Sequence, residues 1–295
     1  MKRPLLLLVA LLIVTSLAWG QMASLPVPYT MNLDHPLLRG LVSWHVVLPH
    51  LRGGLVWYDL IRQHNFTLSG TWAAGSGFLP PSRAAWWGEV RMDGSNQGVF
   101  GGTDALWDFA NTTFTVMLRF RTAATGTQQY LIAKRSGVQL GGWFLRIDSG
   151  TNTMTARILG STGNAAARST ASTTNADGLW HSVLLVFTTD TVTAGNNAIT
   201  IYRDGIPDQG TQTSTPDTYT ACTVCRLSVG IPDDGTASLI GAVDSIRLWS
   251  RGLSAAEALA AHLQQPPTFG GMVHVLPTVV GQPLAVAMPR RITTQ

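Results

Sequence analysis

Glutamate is nearly missing from this 295-residue chain, which carries only Glu89 and Glu257, and lysine is as scarce, with Lys2 and Lys134. Helix surfaces normally draw on both residues, so helical bundles are excluded as the main architecture. The solvent face must instead be built from Thr, Ser, Asn, Gln and Arg, which is a β-protein surface. Cysteine is limited to two residues, too few to staple a small fold, and a 45% hydrophobic content gives the chain a sizeable core without that help. After residue 20 no apolar run approaches the roughly 20 residues that a spanning helix needs. Basic runs interleaved with aromatics are also missing. The formal net charge of +4 falls to +2 once Lys2 and Arg3 are removed, so no nucleic-acid partner is expected.

Residues 1–20 read as a secretory leader. Lys2-Arg3 supply the positive start, residues 5–14 the apolar stretch, and Ala18-Trp19-Gly20 a small-x-small cleavage site. A secreted or surface-associated location is the resulting expectation. Cys222 and Cys225 form a lone C-x-x-C in a Thr-rich segment entering a strand, not at a strand-to-helix turn. That placement predicts a small local disulfide or two inert thiols rather than redox catalysis. No His lies nearby to complete a zinc site, and the seven histidines show no ligand spacing.

From residue 41 onward apolar residues recur with period two, in short runs separated by Gly, Asp, Asn or Pro. The clearest predicted strands span 41–47, 114–121, 130–134, 143–148, 154–159, 181–187, 199–203, 227–230 and 242–249. Within 114–121, Phe114, Val116, Leu118 and Phe120 share a core face, while Thr115, Met117, Arg119 and Arg121 share a mostly wetted one. Asp204-Gly205 supplies a hairpin turn, and Asp233-Asp234-Gly235 separates two later strands. One helix is predicted, opened by a capping box of Ser254 and Glu257 and stopped by Pro266-Pro267. No fixed-period repeat is present, which excludes a solenoid or propeller. The organisation is a leader over 1–20, an N-terminal extension over 21–38, one domain over 39–265 and a Pro/Gly-rich tail over 266–295.

Several words in order resemble the laminin-G-like, concanavalin A-like jelly rolls. "GAVDSIRLWSRGLSAAEALAAHL" is similar to that family's closing strand and helix through Gly241, Asp244, Arg247, Trp249, Arg251, Leu253, Ser254 and Glu257. "DGLWHSVLLVFTTD" resembles its Gly-x-Trp-His-x-Val strand through Gly178, Trp180, His181 and Val183, and "ITIYRDGIP" the strand and Asp-Gly turn that follow. "RGLVSWHVV", "VWYDLIRQHNFTLSG", "VRMDGSNQGVF" and "FTVMLRFRT" resemble its earlier segments, so the likeness runs over 39–263. It implies an all-β, antiparallel jelly-roll β-sandwich with one short C-terminal helix.

Related retaining glucanases place their carboxylates in a Glu-x-Asp-x-x-Glu strand, which this chain lacks. Glu89 precedes a predicted strand, Glu257 is a helix cap, and Asp104 and Asp108 read as a polar loop. No paired acid and base is visible, so no catalytic residue and no enzymatic activity are expected. Ser43 with His45, and Ser182 with His181, lack a Gly-x-Ser-x-Gly elbow and an orienting acid, and His181 is expected to be structural. The resemblance implies a structural calcium as the possible cofactor, with Asp244 as its ligand. The alternative for Asp244 is a hydrogen-bonded acid tying the last strand to the first. Asp93 and Asn96 are secondary candidates, since Asp-Gly-Ser-Asn makes a turn unaided.

Sugar binding needs aromatic faces and polar side chains around them. Trp44, Trp57, Trp143, Trp180 and Trp249 lie in strand words and are assigned to the core, whereas Trp72, Trp86, Trp87 and Trp107 lie in loop-like segments. These four are the candidate carbohydrate-binding residues, with Trp86-Trp87 as the platform; the alternative is a hydrophobic plug that closes one end of the sandwich. The expected function is non-catalytic recognition or adhesion outside the cell, with a glycan as the leading partner. The alternative is a structural or decoration module of an envelope, filament or virus particle that contacts surface proteins, and the third reading is a divergent glycoside hydrolase.

Overall fold

The period-two runs fold as antiparallel strands in two stacked sheets, seen in a computed structural model that describes residues 35–46, 56–59, 61–62, 64–72, 76–79, 88–135, 141–235 and 237–263. In chain order the strands are β1 (Leu41–Val46), β2 (Val56–Asp59), β3 (Phe66–Ser69), β4 (Gly77–Leu79), β5 (Glu89–Asp93), β6 (Gly98–Phe100), β7 (Thr113–Thr122), β8 (Gln129–Lys134) and β9 (Gly142–Ile147). They continue as β10 (Met154–Leu159), β11 (Asn164–Ser169), β12 (Trp180–Thr188), β13 (Ala198–Arg203), β14 (Ile206–Pro207), β15 (Gln212–Ser214), β16 (Leu227–Val229) and β17 (Ile240–Trp249), followed by helix α1 (Ala255–Leu263). Leu41–Val46, Thr113–Thr122 and Ile240–Trp249 match predicted strands, and the Asp204-Gly205 turn carries positive φ at both residues, as a tight hairpin demands.

The first sheet runs β14-β13-β12-β7-β17. Strand β17 then pairs with β1 along its C-terminal half and with β5 along its N-terminal half, β2 extending β1 and β4 extending β5. The second sheet runs β15-β11-β10-β9-β8-β16-β6-β3-β2, so β2 belongs to both layers. Phe114, Val116, Leu118 and Phe120 of β7 meet Leu145, Ile147 and Ile158 of the opposite layer inside one apolar core. Each such side chain contributes roughly 1.5–3 kcal/mol on burial.

The outer face of the first sheet departs from the expectation of a wetted surface. Met117 and Thr115 are buried there, because α1 and Leu253 lie over that end with Leu37, Leu184, Tyr202 and Trp249. Ser254 and Glu257 make the predicted capping box, and Arg251 holds both oxygens of Glu257 at 3.0 and 2.7 Å. Leu37, from the 21–38 extension, joins this second cluster, and its carbonyl accepts the Trp249 indole N–H at 2.6 Å.

Cys222 and Cys225 form a disulfide. The buried Lys134 ammonium secures that loop, donating to the carbonyls of Cys222 (3.1 Å) and Cys225 (2.7 Å) and pairing with Asp108 at 2.9 Å.

Candidate functional site

Away from α1, the alternation of β5, β7, β12 and β17 sends a set of charged side chains to the outer face of the first sheet. One row across the strands reads Trp180, Arg121, Ala242, Arg91, Gly77, each residue opposite the next in register. The neighbouring row carries Ser182, Arg119, Ser245 and, on β5, Glu89. A β-bulge between Val243 and Ser245 places Asp244 where β1 ends and β5 begins along β17. Bulges re-aim side chains in this way.

Glu89 and Asp244 are each only 1% exposed, so each needs a charged partner. Glu89 accepts from Arg121 through both oxygens, at 3.0 and 3.1 Å, and also from Arg91. Asp244 accepts from Arg119 through one oxygen and from the Ser245 hydroxyl through the other, at 3.0 Å. Burial pushes the Asp244 carboxyl up, against the pull of Arg119, and the same burial lowers Arg247 to about 10, opposed by Asp244. The guanidiniums of Arg119 and Arg121 lie 4.8 and 5.2 Å from the centre of the Trp180 ring, a cation–π arrangement.

Ala242 is the small residue that leaves room between Arg121 and Arg91. At this end of the sheet an open pocket of about 330 Å³ is lined by Arg91, Met92, Arg121, Ala123, Gly178 and Ile240, among others. Gly241 lines it too, and only glycine fits there, because a Cβ would fall 2.2 Å from the Arg121 carbonyl oxygen. Arg91 is 44% exposed at the pocket edge, and Leu179 beside Trp180 is 63% exposed. The pocket offers an apolar wall and guanidinium donors, and the Trp180 ring that adjoins Arg121 in the row lies against the Arg119 and Arg121 guanidiniums, a combination that suits a polar ligand with an apolar face.

The sequence-predicted residues are distributed differently. Trp86 and Trp87 lie outside the described residues. Trp107 is 1% exposed and edge-on to Phe66 at 5.7 Å, so its ring is enclosed in the core, whereas Trp72 packs half-buried against that core. Trp180, assigned to the core, is instead the outward ring, since its neighbour His181 takes the inward position near Phe120. The signal was present in the alternation of "EVR" and "RFR", which puts Glu89, Arg91, Arg119 and Arg121 on one face of adjacent strands.

The other polar candidates are occupied structurally. Both oxygens of Asp244 already have donors, Arg119 and the Ser245 hydroxyl, which is the geometry of a hydrogen-bonded tie within the sheet. Among the described residues no three of His, Cys, Asp or Glu converge as metal ligands. Asp93 accepts the Ser95 N–H at 2.8 Å in a turn where Asn96 has positive φ. Asp104 caps a short 3-10 turn and pairs with His64 at 2.9 Å. His45 is buried, bonded to Ser43 at 3.1 Å and to the His64 carbonyl at 2.9 Å. His181 lies between Asp177 and Asp204, at 3.0 and 2.8 Å, and Ser182 contacts His262 at 2.7 Å. Hydrogen bonding to Asp204 raises the His181 pKa, so this ring serves as a clamp between two loops.

Residues 93–258 match the family described as Laminin_G_3, concanavalin A-like lectin/glucanases superfamily. No curated protein matches in sequence. Among solved structures, the chain is similar to Trypanosoma rangeli sialidase at TM-score 0.54 and 18% identity, over 79% of this chain and 34% of the sialidase. It spans about a third of the length of that enzyme. Domain 4 of AbnA, a GH43 extracellular arabinanase from Geobacillus stearothermophilus, in complex with arabinotriose, is similar at TM-score 0.52 and 14% identity, over 75% of this chain and 97% of that one. The binding domain of Paraclostridial Mosquitocidal Protein 1 is similar at TM-score 0.50 and 12% identity, over 76% and 52% of the two chains. At these identities the likeness is one of fold.

Proposed function

The chain belongs to the concanavalin A-like lectin/glucanase superfamily, and from that premise we propose that it is an exported, non-catalytic carbohydrate-binding protein. The observation that carries this reading is the row of Trp180, Arg121, Ala242 and Arg91 beside the open pocket. An aromatic ring stacks on a sugar's C–H face, while guanidinium edges bond its oxygens. The AbnA domain, of the same fold and similar size, is described in complex with a trisaccharide. The leader at residues 1–20 and the disulfide support an oxidising, extracellular location, and no helix among the described residues is long and apolar enough to cross a membrane.

A second reading, a divergent glycoside hydrolase, is favoured by one observation: Glu89 and Asp244 lie on adjacent strands of the same face. Hydrolysis needs one carboxyl as acid and another as nucleophile or base, both open to substrate. Here both are almost wholly buried and engaged by arginines, which supports recognition over chemistry.

The test is a panel of immobilised glycans probed with wild type, Trp180→Ala, Arg91→Gln and a Trp86→Ala, Trp87→Ala double variant. Binding is expected to weaken at least about tenfold in the first two substitutions, with thermal melting little changed. Loss confined to the double variant would move the site to Trp86-Trp87. No glycan bound by wild type would leave the structural or decoration module, and reducing sugar released from polysaccharide would establish the hydrolase.

A further inference from the structure

On the opposite layer, the outer face of the second sheet gathers three arginines over one ring. Phe144 of β9 is buried between Ala133 of β8 and Arg157 of β10, and it packs with Tyr130 rather than with the main core. The guanidinium carbons of Arg135, Arg146 and Arg157 lie 5.4, 5.6 and 5.8 Å from the Phe144 ring centre. Cations brought this close repel one another unless anions intervene.

Two carboxylates offset them in part. Arg146 donates to Asp148 at 2.7 Å, and Arg135 donates to the Tyr130 hydroxyl at 2.9 Å and lies 3.7 Å from Asp234. Arg157 has no carboxylate at ion-pair distance, and Asn164 at 3.4 Å is its one side-chain hydrogen-bond partner, among the described residues. The Nε atoms of Arg135 and Arg157 are buried with no acceptor among the described residues. Leaving such a donor unmade forfeits its hydration without a replacement, at greater cost for a charged group. Burial, and next the proximity of Arg146, lower the Arg157 pKa, as a site short of negative charge requires.

We infer that Arg135, Arg146 and Arg157 form a binding site for a tetrahedral oxyanion, a phosphate or sulfate group carried by a ligand or present as the free ion. Guanidinium forks arriving from β9, from β10 and from the residue that follows β8 match an acceptor with several oxygens in different directions better than they match a planar carboxylate. The Phe144 ring supplies a rigid floor, and the excess of one guanidinium over the two carboxylates supplies the sign.

The site is independent of the sugar-binding row on the first sheet, and its test uses variants from both sheets. Calorimetric titration of the full chain with inorganic phosphate, and separately with inorganic sulfate, is run against chloride at matched ionic strength. A saturable site is expected, weakened at least about tenfold by Arg157→Gln and unchanged by Arg91→Gln. Arg157→Lys keeps the charge but loses the fork, so it should bind with intermediate affinity and serves if the glutamine variant fails to fold. Preference for one anion assigns the phosphate or the sulfate source. No saturable binding by wild type, or binding that Arg157→Gln leaves intact, would overturn the assignment.

Discussion

His45 shows how one buried ring records its surroundings. Its Nε2–H donates to the His64 carbonyl, its Nδ1 accepts from Ser43, and burial lowers its pKa from the ordinary 6.5 to about 4. Because the folded value is depressed, the unfolded chain binds the extra proton first as pH falls. The neutral ring's contribution is therefore complete above pH 6.5 and is lost between 6.5 and about 4, amounting to about 3 kcal/mol. Urea unfolding across that window should show the loss in wild type and not in His45→Gln. A flat wild-type profile would contradict the buried neutral ring. Asp244 gives a second residue-level expectation. Asp244→Asn removes the carboxylate charge that Arg119 pairs with in a nearly buried setting and should cost about 3–5 kcal/mol. Calcium or a chelator should leave wild-type melting unchanged, since Arg119 and Ser245 already fill the acid's coordination. A calcium-dependent rise that Asp244→Asn abolishes would restore the ion.

At the scale of elements, α1 decides how the first sheet meets solvent. It covers Met117 and Leu184 at one end and leaves the ionic row uncovered at the other. Its start rests on the Ser254–Glu257 box and on Arg251, which, chief among several hydrogen bonds, holds the Glu257 pKa at about 2 and also reaches the carbonyls of Pro36 and Arg39. Ser254→Ala should therefore cost about 1 kcal/mol in chemical denaturation. A cost near zero would mean that packing alone sets the helix start. The capping box and the longer strands were legible because each is a local pattern of period or spacing. Short strands such as Gly77–Leu79, Gly98–Phe100 and Gln212–Ser214 were not predicted, since three residues carry no readable period and form only through their neighbours in the sheet.

Across the whole molecule, two sheets present two outer faces of different chemistry. The first carries a pocket walled by two arginines that are already tied to the buried Glu89, and the second an arginine cluster with donors in excess of acceptors. Glu89 illustrates the limit of one-dimensional reading: 155 positions separate it from Asp244, and pairing of β5 with β17 makes them neighbours. By itself the sequence determined the β class, the capped helix, the hairpin turns and the core face of the longest strands, because those depend on local periodicity and turn chemistry. Only the tertiary structure decided which strands lie side by side, that Trp107 closes the core while Trp180 faces outward, and where charges converge, because register and layer packing bring together residues whose separation along the chain carries no trace of the contact.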